Sequence, residues 1–186
     1  MKFTRPLDNI LNTDAKIKIL RFLCKTGAEW NGSQIAREIR MSIAATHTAL
    51  GILRKEGVLS LRNMGKAHVY SLNEESFVVS SLLNPLFAKE DTALRNVIKM
   101  IKNFIGRSSI KKNIVSIGLF GSVNIQEERP TSDIDLFVMI NDLKSKRKVN
   151  ELFEKIDAKM SREFGNMLAP YVNTKSEFIS KHKKRL

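Results

Sequence analysis

Residues 118–138, GLFGSVNIQEERPTSDIDLFV, decide how the second half of this chain folds. The stretch ends one apolar run, Ile114–Phe120, with a Gly-Ser pair, Gly121-Ser122. It then sets Asp133 and Asp135 in a second apolar run, Asp133–Ile140. Short runs rich in β-branched and aromatic residues predict two strands, here joined by a loop that contains Pro130. Alternate side chains of a strand share a face, so Asp133 and Asp135 point the same way with Cα atoms roughly 6–7 Å apart. Ile134, Leu136 and Val138 take the opposite face, toward a core. Two carboxylates that close repel unless a cation sits between them. Hard oxygen ligands suit magnesium (Mg2+) or manganese (Mn2+). Gly121 lets the backbone approach a phosphate, and the Ser122 hydroxyl and nearby N–H groups suit its oxygens. A metal site and a phosphate cradle together are what holding a nucleoside triphosphate requires.

The flanks extend this reading. Leu94, Val97, Ile98, Ile101, Phe104 and Ile105 recur at helical spacing, with Gly106 as the expected stop and a basic loop, RSSIKKN, after it. A long helix follows the second strand, with Val149, Leu152, Phe153, Ile156, Met160 and Phe164 on one stripe. The run MLAPYVNT then predicts another strand. Strands mixed with long helices indicate a mixed-sheet α/β domain over residues 94–186.

A Gly-Ser pair, ten residues and then Asp-x-Asp on a strand resemble the signature of the nucleotidyltransferase superfamily that includes DNA polymerase β. GLFGSV and TSDIDLFV look most like its minimal nucleotidyltransferase branch, and the likeness covers roughly residues 94–178. It implies Asp133 and Asp135 as catalytic metal ligands and Gly121 and Ser122 as nucleotide-binding residues. The implied reaction moves a nucleotidyl group from a nucleoside triphosphate, ATP foremost, to a hydroxyl. In some relatives the acceptor is a protein, such as a HEPN-type ribonuclease toxin. Active members add a third carboxylate from a later strand, which helps bind metal and takes the proton of the attacking hydroxyl. The corresponding stretch here, Leu168–Thr174, contains no Asp or Glu. Glu177 lies a few residues on, beside Lys175 and Ser176, which read as a turn or helix start. Loss of a general base costs roughly 10²–10⁴ in rate.

The first third has another pattern. Asp14–Lys25 carry Ile17, Leu20, Leu23 and Cys24 at helical spacing, with Thr13 as cap and Gly27 as stop. Cys24 lies on the apolar stripe and reads as a core residue. Trp30 is expected to pack over the helix ends. A second helix is expected after Ser33, with Ile35, Ala36 and Ile39 inward and an end near Arg40. Ser42 caps a third helix that buries Thr46, Ala49, Leu50 and Leu53 and stops at Gly57. The strand VLSLR, a turn Asn63-Met64-Gly65-Lys66 and the strand AHVYSL complete a hairpin.

This order, over about residues 10–75, resembles a winged helix-turn-helix domain of the MarR/ArsR type. The resemblance implies a third helix in the DNA major groove and a wing on the backbone or minor groove. Carried over, the exposed third-helix positions are Ile43, Ala44, His47, Thr48, Gly51, Arg54 and Lys55; the wing offers Arg62, Asn63, Lys66 and His68. The DNA-binding set expected from these is His47, Thr48, Arg54, Lys55, Arg62 and Lys66. The face is only moderately basic, which favours phosphate contacts over base reading. The competing reading is a module that dimerises or docks a partner without touching DNA. His47 and His68 have no acidic or cysteine neighbour and are not read as metal ligands.

Composition sets the outer bounds. With 186 residues, 42% of them hydrophobic, the chain has enough apolar surface for real cores. No apolar run is long enough to cross a membrane, and MKFTRPLDNI lacks the apolar stretch of a signal peptide, so a cytoplasmic location is expected. One cysteine excludes an internal disulfide framework and a cysteine-based zinc site. The net charge is +13, with 12 Lys/Arg against 7 Asp/Glu in residues 1–75 and 20 against 12 in residues 76–186. Such an excess favours a polyanion such as nucleic acid. The terminal KHKKRL reads as a solvated tail.

The expected organisation is α+β. A winged helix-turn-helix spans residues 1–75, a connecting segment broken by Pro85 spans 76–93, and a nucleotidyltransferase-like domain spans 94–186. Two functions fit it. One is a magnesium-dependent nucleotidyltransferase with a DNA-binding domain. The other is a winged-helix transcriptional regulator whose second domain is degenerate or only senses nucleotide. A homodimer follows by analogy with two-fold operators.

Overall fold

Thr13 sets the start of the first helix, α1 (Asp14–Thr26), by accepting a hydrogen bond from the Lys16 N–H. Gly27 ends it in the left-handed region, where glycine carries no steric penalty. Lys16 is buried although it is charged; its Nζ donates to the Asn9 carbonyl at 2.7 Å and to Asn12 Oδ1 at 2.9 Å. That pairing fastens the segment before α1 to the helix, with Ile10 fully buried beside it.

The computed structural model describes residues 3–65, 67–124, 129 and 132–183, the last three of these by backbone alone. Lys66, Pro130 and the end of the KHKKRL tail lie outside the described residues. The chain divides into two compact units, Met1–Ala93 and Leu94–Leu186. Among the described residues no helix is long and apolar enough to cross a membrane.

In the first unit, α1 is followed by β1 (Trp30–Asn31), α2 (Gly32–Glu38), α3 (Ile43–Lys55), β2 (Leu59–Met64) and β3 (Ala67–Leu72). The start of α2 differs from expectation. Its cap is Asn31, not Ser33: the Asn31 side chain accepts from the Gln34 N–H, and the Gln34 side chain accepts from the Asn31 N–H. This reciprocal capping box satisfies two otherwise orphaned donors, and such caps contribute about 1 kcal/mol. Arg40, at φ +53°, turns the chain, and Ser42 caps α3. Thr46, Ala49, Leu50 and Leu53 are buried along α3, as their spacing predicts.

The three strands form one antiparallel sheet in the order β1-β3-β2. Met64 pairs with Ala67, so Asn63 and Met64, expected in the turn, belong to β2, and Gly65 leaves the strand at φ +59°. Helix, helix-turn-helix and hairpin make this unit a winged helix. Trp30 packs edgewise on Phe22, with ring centroids 5.1 Å apart, and donates to Thr26 Oγ1.

Residues 76–93 do not merely connect. Residues 78–83 form a widened helical turn, in which the Asn84 N–H reaches back five residues to the Val79 carbonyl. The helix continues as α4 (Asn84–Glu90), and Pro85, which has no N–H to donate, sits where the widened turn gives way to α-helix. Pro85 therefore lies within one continuous helical stretch that it was expected to break. Val78, Val79, Leu83 and Phe87 all enter the first core. Arg21 clamps Glu90 through two hydrogen bonds, 2.6 and 2.8 Å, and joins α1 to α4.

The second unit contains α5 (Ala93–Arg107), β4 (Ile114–Phe120), β5 (Ile134–Ile140), α6 (Lys146–Phe164), β6 (Leu168–Thr174) and α7 (Lys175–Lys183). α5 runs one residue past Gly106, its expected stop. The sheet order is β4-β5-β6, with β4 antiparallel and β6 parallel to the central β5. The parallel pair needs a crossover, and α6 supplies it. Val97 and Ile101 of α5 and Val149, Phe153, Ile156 and Met160 of α6 share one core with Ile134, Leu136, Val138 and Ile140. Both helices thus cover the same face of the sheet.

Cys24 packs at the edge of the first core, and burial pushes its thiol up to about 11. A thiol held there, above its ordinary 9.0, carries far less thiolate, the form that reacts. Alkylation of the folded protein by iodoacetamide at pH 8 is expected to be about a hundredfold slower than that of the urea-unfolded chain. Equal rates in the two states would place the thiol in solvent.

Candidate functional site

The alternation along β5 is complete. Ile134, Leu136, Val138 and Ile140 are buried, and Asp135, Phe137 and Met139 are half-buried on the opposite face. Asp133, expected as the first strand residue, lies just before the strand and is exposed. The pairing with β6 starts there, where the Ile134 N–H donates to the Met167 carbonyl at 2.8 Å.

Register puts Asp135 opposite Phe120, the last residue of β4. The next residue, Gly121, adopts φ +75°. A β-carbon built there would collide with Asp135 Oδ2 and come within 2.9 Å of its Cγ. The backbone conformation favours glycine, and any larger residue here would have to push the Asp135 carboxylate aside. Ser122 follows in a turn closed by a bond from the Asn124 N–H to the Gly121 carbonyl, 3.2 Å long. Gly121 thus abuts Asp135 at one end of the sheet, with Ser122 next in the chain and Asp133 at the mouth of the same strand.

On the other side of Asp135 the register partner is Ala169, and Tyr171 and Asn173 stand beside Phe137 and Met139. β6 therefore brings no carboxylate to this face. Glu177 does not bend back either. Its Oε2 accepts from the Thr174 N–H at 2.8 Å, while its own N–H donates to Thr174 Oγ1 at 3.2 Å. This is a capping box at the start of α7, and Lys146 Nζ donates to the other carboxylate oxygen at 3.1 Å. The Thr174 backbone N–H, then Lys146, holds the Glu177 carboxyl below its ordinary value. The signal was legible: Thr174-Lys175-Ser176-Glu177 is a Thr-x-x-Glu capping sequence. Phe178 of α7 meets Phe137 with ring centroids 4.9 Å apart, so the helix lies over the far end of this sheet face.

Among the described residues no three His, Cys, Asp or Glu side chains gather closely enough to hold a metal by themselves. Two carboxylates and a hydroxyl suit a different mode. Magnesium commonly takes one or two carboxylates and completes its shell with substrate phosphates and water. Asp133, Asp135 and Ser122 are hard oxygen donors of the type such an ion takes.

On the winged helix, His47, Thr48, Arg54 and Lys55 are all exposed along α3. The Thr48 hydroxyl donates to the Ala44 carbonyl at 3.0 Å. His47 has a packing role that its sequence position does not announce: a β-carbon on Gly32 would lie 2.7 Å from its Cε1. Its ring thus covers the first residue of α2. Arg62 is ion-paired to Glu29, so a phosphate at this place must displace that carboxylate. Both partners are exposed, and such pairs are weak. Asn63 and His68 bond across the hairpin at 2.8 Å. Lys66, the expected wing-tip cation, is among the residues not described.

Residues 99–179 match the family described as Polymerase beta, Nucleotidyltransferase. The matched span runs from α5 into α7 and includes Gly121, Ser122, Asp133 and Asp135. Among solved structures, the chain is similar to the transcriptional repressor BigR from Xylella fastidiosa, at 20% identity over 45% of this chain and 81% of that one, with a TM-score of 0.39. It is also similar to a mutant form of Lactococcus lactis ZitR, at 16% identity over 54% of this chain and 64% of that one, with a TM-score of 0.36. No curated protein matches the chain.

The Glu177 pairing has a pH signature. A lowered folded value means that its stabilisation is present above the ordinary 4.5 and is lost as pH falls through the lower folded value. Glu177→Gln is therefore expected to lower the melting temperature at pH 7, and the gap to wild type is expected to close in acid, below pH 4.5. A gap that stays constant from neutral to acid pH would show that the carboxylate charge contributes nothing.

Proposed function

We propose that residues 94–186 form a nucleotide site of the nucleotidyltransferase type, and that the winged helix docks the protein on DNA. The observation that carries the first part is the Gly121–Asp135 contact. It sets the glycine of the Gly-Ser turn directly against the carboxylate of the Asp-x-Asp strand.

In this reading the Ser122 hydroxyl and the N–H groups of the turn hold terminal phosphate oxygens of a nucleoside triphosphate, with ATP as the first choice. Asp135, fixed by its strand and by Gly121, and Asp133, exposed beside it, would hold Mg2+ or Mn2+. When bound, that ion neutralises phosphate charge and orients the group to be transferred. The missing element is the base. Ala169 occupies the register position where β6 passes Asp135, and Glu177 is engaged in its capping box. No described carboxylate stands ready to take the proton of an attacking hydroxyl, which slows transfer by roughly 10²–10⁴. The site thus favours holding a nucleotide over turning it over rapidly. A hydroxyl on a protein partner, such as a HEPN-type toxin, is an acceptor that the family resemblance supports.

The regulator reading rests on that same vacancy of charge at Ala169. Nucleotide binding then biases a DNA-bound protein without rapid chemistry. Arg54 and Lys55 supply phosphate contacts at the end of α3, and Arg62 becomes available when Glu29 yields. Two-fold operators would favour a homodimer.

Titration calorimetry separates these ideas from a relic fold. ATP is expected to bind in the presence of magnesium and to lose at least tenfold in affinity in Asp133→Asn/Asp135→Asn. Equal affinity in the variant, or without magnesium, would refute the site. The Ala169→Asp substitution is expected to raise pyrophosphate release from ATP by about 10–100-fold if the absent base limits the rate. No gain, with ATP binding intact, would point to a second defect.

A further inference from the structure

The winged helix holds the smaller share of the chain's positive charge. Residues 1–93 carry 13 Lys/Arg against 9 Asp/Glu, whereas residues 94–186 carry 19 against 10. A part of the larger excess lines a groove of about 580 Å³ between α5 and α6. Lys99, Asn103 and Arg107 follow one another at four-residue steps along α5, and Lys155 and Lys159 do so along α6. Four-residue steps place each set on one helix face, so the two rows look at each other across the groove. Glu163 is the only carboxylate among the described lining residues, and it is paired with Lys159 at 3.3 Å. Among the described residues Lys99, Arg107 and Lys155 form no ion pair.

Like charges gathered on both walls of a recess repel, and a polyanion relieves that repulsion. The half-buried Phe104 ring also lines the groove, with Lys159 Nζ 5.9 Å from its centroid. Cations that track a backbone, an amide at their side and an aromatic surface are the parts of a single-strand binding groove. Lys155 and Lys159 stand ~6 Å apart along the α6 axis, comparable to the stretched repeat of a phosphodiester chain. The groove does not belong to the nucleotide site. α5 and α6 cover the sheet face of Ile134, Leu136 and Val138, and Asp135 points from the other face.

We propose that the α5–α6 groove binds a single-stranded nucleic acid, with Lys99, Arg107 and Lys155 on its phosphates and Asn103 and Phe104 beside its bases. The site holds the strand on the side of the unit opposite Asp135, and it acts as a docking surface independent of nucleotide chemistry.

The test is fluorescence anisotropy of the full chain with a 5′-labelled ten-nucleotide oligouridine. Lys99, Arg107 and Lys155 are exposed, so charge reversal leaves the core intact; matching melting temperatures check this. Lys99→Glu/Lys155→Glu is expected to weaken binding at least tenfold at 100 mM salt and to reduce the slope of log K against log salt by about 1.4. Arg54→Glu/Lys55→Glu, on α3, is expected to weaken duplex DNA binding and leave oligouridine within twofold of wild type. Asp133→Asn/Asp135→Asn is expected to bind oligouridine normally, which keeps the result separate from the nucleotide reading. The proposal is overturned if groove reversal has no effect or if the α3 variant loses the single strand equally. It is also overturned if a ten-residue polyglutamate displaces the oligonucleotide at matched charge, because the groove would then select acidic protein segments.

Discussion

One oxygen of Asp135 lies where a side chain at position 121 would have to be, and the candidate nucleotide site depends on that exclusion. Because Gly121 has no β-carbon and accepts φ +75°, the chain turns off β4 directly against the central strand, with Ser122 next in the turn. Any other residue would have to displace the carboxylate, bend the turn, or both. The rest of the unit positions this contact. Alternation along β5 sends Ile134, Leu136 and Val138 into the core and leaves Asp135 on the open face. Helices α5 and α6 both cover the core face, which keeps the other face available except where Phe178 meets Phe137.

The same unit shows how a local rule settles the role of a charged residue. Glu177 is the carboxylate nearest in sequence to the strand that lacks one, and on distance along the chain it competes for a catalytic role. Backbone chemistry decides otherwise. The first N–H groups of a helix need acceptors, and Thr174 and Glu177 satisfy one another at the start of α7. Lys146 completes the pairing. Ala169, in register with Asp135, then leaves that side of the site without charge.

Basic residues are divided between different tasks. Lys16 is buried and ties the N-terminal segment to α1, and Arg21 joins α1 to α4 through Glu90. Arg62 is held by Glu29 on the wing. Among the described residues Lys99, Arg107 and Lys155 lack such partners, and they face one recess. A net charge says only that a polyanion is attracted. The pairing of individual cations says where the attraction is left unsatisfied.

Much of the architecture was legible because it obeys local physics. Thr13, Ser42, Gly27 and Gly57 mark helix ends through hydrogen bonds and dihedral angles that a few neighbouring residues set. Period 2 along residues 134–140 and period 3.6 along residues 149–160 follow from strand and helix geometry. Where two local signals competed, the outcome was less plain: Asn31 took the cap of α2 over Ser33, and the helix ran on through Pro85 where an interruption was expected. The sequence by itself determined the winged-helix order of the first third, the mixed strand-and-helix pattern of the last half and the faces of Asp135 and its apolar neighbours. Tertiary structure alone decided that residues 76–93 join the first core, that Gly121 abuts Asp135, that Ala169 stands where β6 passes it, and that α5 and α6 share a basic groove. Those facts depend on strand register and on which helix faces meet. Register and facing are fixed by burial summed over residues distant in the chain, which no local spacing encodes.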